Sequence, residues 1–334
     1  MHRNLIILIL TLIFVTIDAQ NCTQCTTSKK IWCPDSNECQ DKSDCPSAIK
    51  YALNCPKLPQ KEYMYDDYFA RYTMMPIFAA VYTPNPQDCF DNVLPTLKFY
   101  KSTRVRCYKE GPETTCHAYT AYDTSKKAIV ISVEGTDGAV QMTEEVLSFF
   151  QEKVPFYENG RLFKYFNQAF FDLWNGGLET NFRALKYLYP DYEIWIAGHS
   201  LGAGIASIAA SYIVKFGLAT GENIKLVTIG QPRTGDRKWA EWHENTFPYS
   251  YRIVHHRDPV PHIPPMLGPD EVFHHRYEVF YNNKMDIGDS YVICQEADGH
   301  YCSNTQLDVD RNDHVTYFNR DIGVYGGTNC TKYW

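Results

Sequence analysis

The sequence has no excess of basic charge. Lys and Arg number 32 against 39 Asp and Glu, a formal net charge of −7, and no long basic run offsets it. That balance gives neither a nucleic-acid backbone nor an anionic membrane surface an electrostatic partner. After Gln20 there is also no apolar stretch long enough to span a bilayer, which takes about 20 residues. Internal repeats and low-complexity tracts are absent, which removes solenoid and repetitive disordered architectures. What remains is 334 residues, 44% hydrophobic and only 21% charged. This is enough to bury a sizeable core in one large domain with a small appendage.

The N-terminus reads as an address. Arg3 is followed by an apolar run over 5–17, too short to span, and Ile17-x-Ala19 offers a small-residue cleavage site. A signal peptide over 1–19 is expected, and with it a soluble, secreted protein. All 12 cysteines follow that cut, an even number suited to an oxidising compartment. Six crowd between Cys22 and Cys55. Residues 20–58 have little apolar periodicity, so disulfides must hold this segment as a small module. Its "IWCPDSNEC" resembles the cysteine-rich modules called PSI domains. Pro56 and Pro59 mark the linker to a main domain over 59–334. Two sequons, at Asn21 and Asn329, are glycosylation candidates, each with a cysteine in the middle.

The main domain alternates apolar strands with helices. Residues 116–135 read as two strands around a polar turn, and 160–188 carry helical spacing interrupted near Gly176 and Gly177. "YEIWIAG", "IKLVTIG" and "SYRIVHH" are short buried strands. "LGAGIASIAASYIVKFG" and "GDRKWAEWHENTF" are helices. This order implies an α/β fold with a mostly parallel sheet covered on both faces.

Ser200 stands where one such strand meets one such helix, in Gly198-His199-Ser200-Leu201-Gly202. Gly-x-Ser-x-Gly at a strand–turn–helix junction is the nucleophile elbow. The turn is sharp enough that side chains at Gly198 and Gly202 would collide with backbone. It lifts Ser200 above the sheet at a helix N-terminus, where N–H groups can stabilise negative charge. A serine nucleophile needs an imidazole base and a carboxylate to orient it. In this fold the acid and then the histidine follow the serine in the chain. Asp258, in the stiff loop "RDPVPHIPP" after a strand, suits the acid better than Asp236 or Asp270. His243, His255 and His256 precede it, and His262 is too close to it. His274, His275 and His300 meet the order rule. His314 in "DHVTYF", at a short C-terminal helix, is best placed.

"GHSLGAG", "GQPRTGD", "RDPVPHIPP" and "DHVTYF", in this order and spacing, resemble the class 3 lipases, the fungal-type triacylglycerol lipases of the α/β-hydrolase fold. The resemblance runs from about Tyr63 to Cys330 and implies a catalytic triad of Ser200, Asp258 and His314. It implies an oxyanion hole from Leu201 N–H and from Thr136, which follows the strand in "VISVEGTDG". It implies a lid over 138–150, with Val140, Met142, Val146, Leu147, Phe149 and Phe150 as its apolar face. It further implies the bridges Cys89–Cys330, Cys107–Cys116 and Cys294–Cys302, leaving the N-terminal six to pair among themselves. Two positions depart from the family: Met142 where an aromatic lid residue is common, and Glu134 where a basic residue precedes the oxyanion glycine.

The resulting expectation is a secreted serine carboxylic-ester hydrolase, a triacylglycerol lipase acting on acylglycerol at a lipid interface without metal or cofactor. A phospholipase A1 or a polar-ester esterase is the alternative on the same scaffold. A non-catalytic lipid-binding protein is the remote alternative, disfavoured because all three triad residue types are present. The residues name no protein partner for the N-terminal module.

Overall fold

The computed structural model describes residues 21–42, 45–107, 114–135, 150, 152–266, 272–299 and 302–331. The expected signal peptide lies outside them. No helix among the described residues is long and apolar enough to cross a membrane.

An eight-stranded sheet is the frame. Its strands are β1 (Leu97–Cys107), β2 (Thr114–Asp123), β3 (Ala128–Val133), β4 (Glu193–His199), β5 (Ile224–Ile229), β6 (Ser250–His255), β7 (Glu278–Tyr281) and β8 (Val292–Cys294), side by side in chain order. The centre, β3 through β7, is parallel. β1, β2 and β8 pair antiparallel at the two edges. Every residue of β3 and β6 is buried, as expected of central strands covered on both faces.

The strand period of two divides the core. Ile129 and Ile131 point to one face with Phe166, Phe170, Trp174 and Ile205. Ala128 and Val130 point to the other, with Ile77, Phe78, Phe90 and Tyr251. The first face is covered by α2 (Lys164–Leu173) and α4 (Leu201–Lys215), the second by α1 (Met75–Ala80). The helical spacing of 160–188 resolves into α2, one wide turn at Trp174–Leu178, and α3 (Glu179–Leu188). Gly177 sits in that turn at φ +132°, open to glycine at little cost. Arg161–Phe163 is a strand rather than helix. It pairs with Lys153–Pro155 in a hairpin of a small second sheet, a cross-strand pairing that outweighs helical spacing.

The N-terminal segment is held by Cys22–Cys55, Cys25–Cys39 and Cys33–Cys45. Cys89–Cys330, Cys107–Cys116 and Cys294–Cys302 lie in the remainder, the pairs implied by the family resemblance. The segment lies against the larger body. Leu53 is enclosed by Ala240, Phe273 and Ala297, a burial contributing about 2 kcal/mol. The buried Arg276 guanidinium donates to the carbonyls of Ala52, Leu53 and Cys55 and pairs with Glu244.

Candidate active site

β4 ends in a turn that only this local sequence permits. A Cβ on Gly198 would stand 2.4 Å from Gly202 O, and one on Gly202 would stand 2.4 Å from Glu134 O. Both fall inside van der Waals contact, so the turn closes because both side chains are hydrogen. Ser200 itself adopts φ +56°, ψ −129°, a conformation costing on the order of 1–3 kcal/mol for a non-glycine residue. Its N–H donates to Ile229 O at 3.1 Å, tying the turn to the end of β5. Ser200 is thus fixed at the head of α4. The N–H of Leu201, first in that helix, has no helical acceptor behind it.

Asp258 follows β6 in the proline-rich loop, and His314 lies in α6 (Arg311–Val315). Two short strands, Thr316–Tyr317 and Arg320–Asp321, still follow that helix. The fold brings the three side chains together, all buried. Ser200 Oγ is 2.9 Å from His314 Nε2. His314 Nδ1 is 2.9 Å and 3.0 Å from the two oxygens of Asp258. Asp258 also accepts the N–H of Val260 at 2.9 Å and the hydroxyl of Tyr317 at 2.6 Å. Burial alone would raise the Asp258 carboxyl. The facing imidazole, the tyrosine hydroxyl and the backbone N–H outweigh it and hold the group below its ordinary value. Burial, and then the carboxylate beside it, push the Tyr317 phenol well up, so that hydroxyl stays a donor. An anionic Asp258 holds His314 with Nδ1 protonated and Nε2 open to the Ser200 proton, an arrangement able to generate a serine nucleophile.

The described alternatives that were nearest in order have partners elsewhere. Asp236 caps α5 (Arg237–Thr246) by accepting Trp239 N–H. His262 meets Asn304, His274 meets Pro261 O, and His275 contacts Gln231 and Ser250. Asp270 and His300 lie outside the described residues.

Of the oxyanion and lid residues, Thr136, Val140, Met142, Val146, Leu147 and Phe149 lie outside the described residues. Gly135, the residue before Thr136, is placed: its Cβ position would be 3.2 Å from Ser200 Cβ. Phe150, placed in the lid by the family resemblance, is instead wedged in the main core against Phe163 and Phe166. The acid at the unusual position, Glu134, lies 2.7 Å from His117 Nδ1 through Oε2, with Arg104 3.6 Å away. Asn21 is exposed and Asn329 half-buried, and the cysteine after each is bridged. The one compact group of metal-type donors among the described residues, Glu278 with Cys294 and Cys302, has both sulfurs in a disulfide.

Two residues of the site carry little signal along the chain. Tyr317 lies in the quoted "DHVTYF", yet only the fold turns its hydroxyl onto Asp258. Gly230, at φ +57°, follows β5 directly, where a Cβ would meet the His314 ring. Its place opening "GQPRTGD" was the available hint.

Comparisons with known proteins bear on the family and the fold. The family model described as lipase (class 3) matches residues 130–268. Uncharacterized protein C40H1.2 of Caenorhabditis elegans is 30% identical over 250 residues, covering 73% of this chain and 89% of that protein. Secreted mono- and diacylglycerol lipase 1 of Fusarium solani is 26% identical over 217 residues, 62% of this chain and 61% of that protein. Among solved structures, a lipase from Rhizopus microsporus var. chinensis superposes with a TM-score of 0.67 at 21% identity, over 80% of this chain and 93% of that one. Rhizomucor miehei triacylglyceride lipase gives 0.65 at 23%, over 78% and 98%.

Proposed function

We propose that this chain, which belongs to the class 3 lipase family, is a secreted triacylglycerol lipase, a serine ester hydrolase using Ser200, His314 and Asp258. The hydrogen-bonded series from Ser200 Oγ through His314 to Asp258 is the observation that carries the reading. His314 takes the Ser200 proton as Oγ attacks the ester carbonyl carbon. The carbonyl oxygen becomes an oxyanion held by the N–H groups of Leu201 and Thr136. Collapse breaks the C–O bond, and the leaving alcohol takes the proton from His314. Water then gives a proton to His314 and its oxygen to the acyl carbon, releasing the fatty acid and restoring Ser200. Each step is complete with the chain's own residues and water.

Acylglycerol at an interface fits the surroundings of the site. Leu307 is 97% exposed and Val309 66% exposed, in the segment leading to His314, and Met266 is exposed in the loop that follows Asp258. Asp310 N–H donates to Arg257 O, and His262 meets Asn304, so these apolar tips sit on loops tied to each other. A lipid surface would remove them from water at about 25 cal/mol per Å². For secretion, the support is the leader-like 1–19 and the use of all cysteines in disulfides. The proposed organisation is signal peptide 1–19, disulfide module 20–58 and hydrolase 59–334. Sequons at Asn21 and Asn329 are proposed glycan acceptors.

A panel of emulsified triglyceride, phosphatidylcholine vesicles and soluble short-chain esters tests the substrate. Triglyceride should be hydrolysed fastest, with a rate that jumps as a sparingly soluble ester passes its solubility limit. Faster phosphatidylcholine cleavage, or smooth saturation through that limit with preference for soluble esters, would overturn the triglyceride assignment.

A further inference from the structure

His199, between Gly198 and the nucleophile, uses both ring nitrogens. Its Nε2 is 2.9 Å from the carbonyl oxygen of His314. A carbonyl only accepts, so Nε2 carries the proton. Burial, and then His314 beside it, depress the ring to about 3, so it is neutral in ordinary buffers and Nδ1 is a bare acceptor. Tyr82 Oη stands 3.1 Å from that Nδ1 and must be its donor. The same oxygen accepts the N–H of Gly135 at 3.3 Å. A backbone N–H at one end and a backbone carbonyl at the other therefore fix every proton in between.

We propose that Tyr82 and His199 are positioning residues, a two-member relay that holds the oxyanion loop at Gly135 and the backbone of His314 in register about Ser200. This rests on the hydrolase reading above. The reason is geometric. The oxyanion donor at Thr136 and the base come from distant parts of the chain, and the site works only if both are held within about 0.5 Å of productive geometry. Gly135 is joined directly to Thr136, and the His314 carbonyl belongs to the residue that carries the base. The relay is the hydrogen-bonded route between them that passes through the residue preceding Ser200. Tyr82 suits its place because one hydroxyl both donates and accepts. Phenylalanine there would leave the Gly135 N–H and His199 Nδ1 without this partner. His199 suits its place because it stays uncharged. Its ring lies 4.7 Å from that of His314, so the polarity of the relay persists when His314 becomes an imidazolium.

The test is a double-mutant cycle of Tyr82→Phe and His199→Leu on a soluble short-chain p-nitrophenyl ester, with sites counted by fluorophosphonate titration so that kcat is per active site. Tyr82→Phe should lower kcat about tenfold, the scale of one internal hydrogen bond, with KM unchanged. The double variant should be no worse than His199→Leu alone, because the relay acts as one unit. His199→Gln, whose amide can donate to His314 O and accept from Tyr82, should recover much of the loss. Multiplying losses in the cycle would overturn the proposal. So would a Tyr82→Phe enzyme that keeps its kcat per titrated site and loses only sites or thermal stability, and that comparison stands even if His199→Leu does not fold. Ser200→Ala in the same assay separates the failures: turnover in that variant would sink the hydrolase reading itself, whereas an inactive Ser200→Ala beside an unaffected Tyr82→Phe would sink only the relay.

Discussion

A Cβ on Gly230 would stand 2.8 Å from His314 Cε1 and 2.9 Å from Asp258 Oδ2. The imidazole and the carboxylate meet in space left by a missing side chain, at a backbone φ of +57° that also disfavours any other residue. Gly230→Ala should displace the His314 ring by a few tenths of an ångström or more. Misplacement on the ångström scale costs on the order of 10²-fold in rate. Turnover of a soluble ester should fall by about that factor while circular dichroism stays native. Wild-type turnover in Gly230→Ala would mean that the imidazole does not need its observed seat.

Asp258 and Tyr317 should separate by magnitude. Asp258→Asn removes the charge that fixes the His314 tautomer, and triad carboxylates replaced by amides lose about 10⁴-fold in kcat. Tyr317→Phe removes one of several donors to the carboxylate and should cost roughly tenfold. Asp236→Asn should leave kcat unchanged, since Asp236 caps a helix. Steady-state kinetics on the three variants checks the order, and a loss for Asp236→Asn comparable with that for Asp258→Asn would reverse the choice of acid.

Four buried histidines should set the acid limit of stability. His199 and His275 are depressed to about 3, and His243 and His274 lie well below their ordinary value, each chiefly through burial. In the unfolded chain a histidine protonates near about 6.5. Between these limits the unfolded state binds more protons, so stability rises with pH there. It is fully present above about 6.5 and is lost as pH falls, by about 1.4 kcal/mol per pH unit for each group. Asp258, held below its ordinary value, adds a loss only in the lower carboxylate range. Thermal midpoints should be level above pH 7 and drop steeply from pH 6 to pH 4. A midpoint unchanged down to pH 4 would contradict the neutral state of these rings.

The N-terminal segment should prove inseparable from the larger body. Arg276 satisfies three of its carbonyls, and removing one partner of a buried charged network costs about 3–5 kcal/mol. Arg276→Met should lower the thermal midpoint and open the chain to proteolysis near residues 56–60, without changing kcat per active site. Unchanged stability and cleavage would mean that the contact carries no load. The Cys89–Cys330 bridge, with a sequence separation of 241, should contribute roughly 5 kcal/mol on the loop-entropy account.

Legibility followed from whether a constraint acts along the chain or through space. The elbow at Ser200 is local: two glycines flank a serine between a strand and a helix. Asp258 and His314 are separated by chain order and by the loop and helix they sit in. Tyr317, Gly230 and Tyr82 do their work by approaching residues that only the fold supplies, and a tyrosine or glycine at such a position looks like any other. Arg161–Phe163 looked helical because its own spacing shows neither the hairpin with Lys153–Pro155 nor the pairing with Gly235. Phe150 shared its spacing with the segment before it, yet its ring found Phe163 and Phe166. Arg276 was invisible for the same reason, three of its acceptors being backbone carbonyls more than 200 residues away.

The central claim is that Ser200 is the nucleophile. Its most direct measurement is mass mapping after incubation with a fluorophosphonate probe, alongside turnover of the same preparations. The account predicts one adduct, on Ser200, whose formation follows the loss of esterase activity one for one. It predicts no adduct and a loss of at least about 10³-fold in Ser200→Ala. Labelling on another residue, or esterase activity that survives in Ser200→Ala, would contradict it.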